Sequence, residues 1–456
     1  MTIPQSSNVV REIHLVRAPP GDNPTPPYDL NILDCLVAKL FVRVAYFFEA
    51  PTHPLSTEFW TSSLSKTLSA YRFLTGTVTR YSPTRVVLSE NERGCYVEFA
   101  DDSALTIKGL KDQNFAPTAV PDTLYIPVLQ DNDPSWSSVE LLRVRITVLA
   151  DGGIVVALSM FHTFIKDWGA AARGETIVAP NRDPSILRVP VGLNQLISTA
   201  PVSTPVFVGP AAPPAPPLIM VENFYFTPSA LKALKVYTSS LSLPDGPIKE
   251  AASQVSTSDC LAALIWCSIL QSLPKSTLAG RTATTMPYLI NLRTTRPPLV
   301  PMDYVGNAWV SMLDKSCKFQ IEDLIRNEDS IRMAACDIRT GILALTPEYF
   351  ETFPFKGPTP GDDNVKVLLT SWKGFGVYDT DFGLGRPIRF MPQSPNRLPV
   401  IIIFIRPMCD EQGGEAGAEF QLVLGAEAME RLKKNSVFSR FAHWYNEDGS
   451  LEGCGM

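Results

Sequence analysis

Residues 152–170 read GGIVVALSMFHTFIKDWGA, and the architecture turns on what precedes and follows them. Upstream, Leu142, Val144, Ile146 and Val148 alternate with Arg143, Arg145 and Thr147, the period-two pattern of a strand with one buried face. Asp151-Gly152-Gly153 then reverses the chain, because an Asp-Gly pair supplies the positive φ of a tight hairpin. Residues 154–161 follow as a nearly unbroken apolar run, short enough for a strand covered on both faces. His162 stands where that run leaves the core, with rigid support behind it and open space ahead, the setting of a general base. The same residue also reads as an ordinary histidine that titrates and does nothing else.

Composition narrows the classes. At 456 residues, with 45% hydrophobic and 19% charged residues, the chain is that of a globular protein with two domains. A net charge of −6 opposes nucleic-acid binding, which needs a basic face. No apolar run approaches the ~20 residues that span a bilayer, and residues 1–16 lack a basic-then-apolar leader, so a cytoplasmic protein without a membrane partner is expected. Eight scattered cysteines form no C-x-x-C pair and there are only four histidines, so no metal site is expected and the thiols suit a reducing compartment.

Along the chain, residues 40–48 read as a strand and 56–76 as a helix, with Trp60, Leu64, Leu68 and Tyr71 on one face and Gly76 to end it. Short strands are expected at 86–88, 95–99 and 105–107, and a helix beginning at 168 after the His162 loop. Residues 198–217 carry seven prolines, which favour an extended linker, so residues 1–197 and 218–456 are expected as the two domains. In the second half, strands are expected at 221–227 and 400–405 and around Phe420, Leu422 and Leu424, and helices at 260–273 and 426–434. Ser256 with Asp259 forms a capping-box pattern before the first of these helices. Mixed strands and helices in two halves imply an α/β protein with a ligand site between the halves.

LNILD (30–34), LSKTLSAYRFLTG (64–76), STSDCLAALIW (256–266), NLR (291–293) with PPLVPMDYVGN (297–307), and TSWKGFGVYDTDFGLGRP (370–387) occur in that order. Protein kinases also carry a DFG, but no glycine-rich phosphate loop or His-Arg-Asp loop accompanies this one. The landmarks resemble those of the BAHD acyl-CoA-dependent acyltransferases, particularly the fungal branch related to trichothecene O-acetyltransferases. The resemblance covers nearly the whole chain. It implies two chloramphenicol-acetyltransferase-like domains with a channel between them, the C-terminal half lending a strand to the N-terminal sheet. It also implies a monomer that needs no metal, takes an acyl-CoA as co-substrate and has a small-molecule acceptor.

The family's H-x-x-x-D-G motif puts its catalytic base at His162, and Gly169 takes the motif's second glycine. Lys166 stands at the motif Asp and Asp167 at the following Gly. The motif Asp pairs with an Arg in the family, so Lys166 inverts a charge; either Asp167 takes over through a one-residue bulge or Lys166 finds its own carboxylate. A cation at 166 also keeps the His162 imidazole neutral and able to accept a proton. Asp381 of DFGLG is expected to pair with Arg293, with Gly383 and Gly385 shaping the turn and Leu384 replacing the family's tryptophan. Trp372, with Thr370 or Ser371, reads as an oxyanion donor or, equally, as a packing residue. Ser256 and Ser258 start a helix whose N–H groups suit an anion or pantetheine, or simply cap it. A second reading keeps the fold and changes the chemistry to a CoA-independent cyclase or isomerase acting on a polyketide or terpenoid. A third leaves a silent binding protein.

Overall fold

The computed structural model describes residues 9–21, 26–30, 34, 43–82, 85–90, 93–126, 138–159, 162–183, 219–243, 247–295, 298–311, 318–346, 348, 364–372, 375–393, 401–405, 417–445 and 451–453. The chain divides into two compact units. One comprises Met1–Arg188, Pro301–Asn307 and Phe375–Ser394, the other Val189–Val300, Ala308–Gly374 and Pro395–Met456. DFGLG thus belongs to the same unit as His162, not to the 218–456 half. The proline-rich stretch 198–217 lies outside the described residues.

The first unit is built on a six-stranded sheet in the order Val9–Val16, Cys95–Asp102, Arg143–Leu149, Ile154–Leu158, Arg43–Phe48, Arg389–Gln393. Its centre is the hairpin legible in the sequence: Val144 faces Leu158 and Val148 faces Ile154 in antiparallel register. Gly152 makes the turn at φ +82°, and every residue of Ile154–Leu158 is buried. The strand Arg143–Leu149 departs from the one-faced expectation, since Arg145 and Thr147 are buried as well. Its parallel partner explains this: Glu98, opposite Arg145 in register, accepts from the guanidinium Nε at 2.8 Å, and the backbone oxygen of Thr123 accepts from another guanidinium nitrogen. Burial of an arginine is tolerated when it is ion-paired and its donors are used. Arg389–Gln393, far away in sequence, pairs antiparallel with Arg43–Phe48 and completes the sheet edge.

Two helices cover this sheet's neighbourhood. Thr57–Ala70 starts at Ser56, whose hydroxyl accepts from the Phe59 N–H, and buries Trp60, Leu64 and Leu68. It ends at Tyr71, and Arg72–Thr75 continues as a 3₁₀ turn to Gly76. The second, His162–Ala172, begins at His162, six residues before the expected start. Among its described residues the buried hydrophobic side chains are Phe164, Ile165, Trp168 and Ala171, a helical spacing that the preceding apolar run conceals in the sequence. The expected strand at 105–107 is another correction. Thr106 caps the helix Ile107–Asp112 by accepting from the Gly109 N–H at 2.9 Å, while Asp102 accepts from the N–H groups of Ala104 and Leu105. These side chains satisfy the local backbone, so no ladder partner is needed.

The second unit has its own six-stranded sheet, ordered Leu368–Ser371, Ile401–Ile405, Ala418–Gly425, Ile219–Phe226, His443–Tyr445, Leu451–Gly453. Phe224, Phe226, Phe420 and Phe438 pack as an aromatic cluster on it. Thr257–Ser272 is buried nearly throughout and opens with the full capping box read from the sequence. Asp259 is 1% exposed, and both Nε and Nη2 of Arg339 donate to it at 2.8 and 2.6 Å. No helix among the described residues is long and apolar enough to cross a membrane.

Candidate active site

His162 is the first residue of its helix, four residues after the buried strand Ile154–Leu158; its side chain lies outside the described part. What holds that helix is fully visible. Trp168 donates its indole N–H to Ser63 Oγ at 3.0 Å and packs edge-on against Trp60 and Phe382. A Cβ at Gly169 would lie 2.5 Å from the backbone oxygen of Asp381 and 3.1–3.2 Å from its carbonyl carbon and nitrogen, so only glycine allows this approach. Arg173, just past the helix, donates to the same Asp381 oxygen. Gly169→Ala is expected to destabilise the fold by roughly 1–3 kcal/mol, because the neighbours are backbone and cannot rotate away; a urea midpoint below that of the wild type checks this.

DFGLG follows from the same packing. Phe382 is 2% exposed and its ring meets Phe48, Trp60 and Trp168 at centroid distances of 5.8, 5.0 and 5.0 Å. Asp381 Oδ1 accepts from the Gly383 N–H at 2.7 Å, and Gly383 and Gly385 adopt φ +85° and +78°, which side chains with a Cβ rarely adopt. The phenylalanine is an anchor, and the glycines turn the loop around it.

Positions 166 and 167 behave differently. Lys166 is exposed, one helical turn beyond position 162. Asp167 is half-buried and accepts the Tyr71 hydroxyl at 2.6 Å. Burial and the adjoining Asp167 carboxylate push the Tyr71 phenol upward, which keeps it protonated and donating. Sequence periodicity found the Tyr71 ring as the last member of a helix face, but nothing local marks its hydroxyl for a residue 96 positions away. A second missed link joins two quoted landmarks: Asp34 Oδ1 accepts from both the backbone and the side-chain nitrogens of Asn307, at 2.8 and 3.0 Å.

Arg293, Ser256, Ser258 and Trp372 belong to the second unit. The Ser256 hydroxyl accepts from the Asp259 N–H and serves as the helix cap, while Ser258 is exposed. Arg293 lies in the turn after Leu289–Asn291, where its backbone N–H donates to Asn291 Oδ1 at 3.0 Å. Trp372 is buried directly after Leu368–Ser371. The four described cysteines are buried, and burial pushes their thiols up, Cys260 to about 11 and Cys267 to about 12. Thiols so disfavoured as thiolates do not act as nucleophiles at neutral pH.

Comparison with known proteins agrees with this architecture. The Transferase family signature matches residues 19–438. Hydroxycinnamoyltransferase 1 of Oryza sativa subsp. japonica is 27% identical over 93% of this chain and 98% of its own length. Tryptamine hydroxycinnamoyltransferase 2 of the same plant is 25% identical over 60% of this chain and 64% of that protein. In structure, TRI101 of F. graminearum, solved with coenzyme A and T-2 mycotoxin, superposes with a TM-score of 0.66 over 92% of this chain and all of that one; at 18% identity the likeness is one of fold. With a signature running through both compact units, the chain belongs to the transferase family of BAHD acyltransferases and has their two-domain α/β fold.

Proposed function

We propose that this protein transfers an acyl group from an acyl-CoA to a hydroxyl or amine of a small secondary metabolite, with His162 as general base. His162 takes the proton from the acceptor; the acceptor oxygen or nitrogen bonds to the thioester carbonyl carbon; the carbon–sulfur bond breaks, and the proton passes to the departing CoA thiolate. The observation that carries the reading is the placement of His162 as the first residue of a helix, on the heels of a buried strand, with the helix held by its packing at Trp168 and Gly169. Trp372, with Thr370 or Ser371, supplies donors to the oxyanion. Ser256 and Ser258 meet the pantetheine arm or an anionic group of CoA. In this reading Asp381 and Arg293 keep the structural roles of their motifs, each within its own unit, with Asp381 on the turn at Gly383 and Gly385.

The fungal TRI101 structure that holds coenzyme A supports a fungal setting and CoA as the acyl carrier. A hydroxycinnamoyl-CoA:5-hydroxyanthranilate N-hydroxycinnamoyltransferase of Avena sativa among the relatives supports a thioester donor. The enzyme works as a cytoplasmic monomer on small molecules alone, without metal, nucleic acid or membrane.

A CoA-independent cyclase or isomerase in the same fold is the second reading, favoured by the exposed cation at Lys166 where the family motif has Asp. Calorimetric titration with coenzyme A separates the two. The acyl-transfer reading expects saturable binding, and a titration with no heat of binding favours the second.

A further inference from the structure

Besides Trp168, which donates to Ser63, the helix that begins at His162 has among its described residues one other hydrogen-bonded polar side chain, Asp167. Five residues separate the two positions, which at about 100° per residue sets Asp167 roughly 140° around the helix from position 162. Lys166, about 40° to one side of position 162, and Gly169, about 20° to the other, share its face. Asp167 therefore grips the helix from the side away from the reacting face. We infer that Tyr71, through its hydroxyl, is a positioning residue for His162: the Tyr71–Asp167 pair takes over the anchoring that an acid at position 166 would give.

The donor is itself rigid. Tyr71 is 1% exposed, its backbone N–H closes the end of Thr57–Ala70 on Thr67, and its ring meets Phe164 edge-on at 5.4 Å. The O–H to Oδ2 distance of 2.6 Å is that of a charge-assisted hydrogen bond. Among the described residues Asp167 forms no ion pair, so this bond is what holds its carboxylate. The sequence change from an acid at 166 to Lys166-Asp167 is thus matched by a partner that donates without carrying charge. An uncharged donor also leaves the exposed Lys166 without a like-charged neighbour at this anchor.

The inference rests on the acyl-transfer reading, and the test separates the two. Tyr71→Phe keeps the ring contacts and removes the donor; Asp167→Ala removes the acceptor; Asp167→Asn keeps an oxygen that accepts. With the full chain folded by its urea midpoint, Tyr71→Phe and Asp167→Ala are each expected to lower kcat about tenfold with KM for the acyl-CoA within about twofold. The double variant is expected to be no slower than either single one, because both remove the same bond, and Asp167→Asn to recover most of the loss. Wild-type kcat in Tyr71→Phe, or losses that multiply in the double variant, overturns the inference while a dead His162→Ala leaves the function intact. If His162→Ala retains full turnover, the function falls instead; amide hydrogen exchange over residues 166–170, whose N–H groups bond within the helix, then decides. Exchange about tenfold faster in Tyr71→Phe than in wild type sustains the anchoring, and unchanged exchange overturns it.

Discussion

A His162→Ala enzyme turns over acyl-CoA about 10²- to 10⁴-fold more slowly than the wild type, with KM for donor and acceptor within about twofold. The size of the loss is that of removing a positioned proton acceptor; donor binding and the carbonyl-polarising groups remain, so the residual rate stays above that of free solution. A fold defect is not expected to contribute. His162 is the terminal residue of its helix, alanine is the best helix former, and the contacts that hold the helix come from Phe164, Ile165, Trp168 and Gly169. Steady-state kinetics together with an unchanged urea midpoint check the prediction. Turnover undiminished in the variant removes His162 from the chemistry.

Phe382→Ala is expected to destabilise the fold by roughly 3–5 kcal/mol, the cost of deleting a phenyl ring from a packed core. Few residues here join so many elements. Phe48 comes from the central sheet, Trp60 from Thr57–Ala70 and Trp168 from the His162 helix, and all three rings close on Phe382. A void at that point loosens the Gly169–Asp381 approach as well, since Asp381 is the preceding residue. Activity should therefore fall together with stability, in contrast to His162→Ala. Urea unfolding measures the first effect; a midpoint equal to that of the wild type would refute the anchoring role of the motif.

Local signals carried much of the fold. Alternation at 142–148, the Asp-Gly turn and the apolar run predict the central hairpin, and Ser256 with Asp259 predicts the start of the buried helix; all are present. Failures occur where a distant or competing interaction decides. Arg143–Leu149 is buried on both faces because Glu98 arrives on a parallel neighbour. Residues 105–107 do not extend because Thr106 and Asp102 satisfy the backbone locally. The start of the helix at His162 is masked by apolar residues that suit strand and helix alike.

The candidate site divides the same way. DFGLG is conspicuous in the sequence, but that Phe382 rather than Asp381 fastens it to the core depends on tertiary packing. The substitution at 166 is visible at once, and so is the neighbouring acid. The answering hydroxyl on Tyr71 is not, because a tyrosine closing an apolar helix face gives no sign of where its oxygen ends.

Fate of the thioester tests the central claim most directly. With an acyl-CoA and an acceptor bearing a hydroxyl or amine, the released thiol and the acylated product are quantified in one reaction, by a thiol reagent and by mass. The account predicts equal amounts of both, and in His162→Ala both formed about 10²- to 10⁴-fold more slowly. An acceptor converted to product with no CoA thiol released would contradict it.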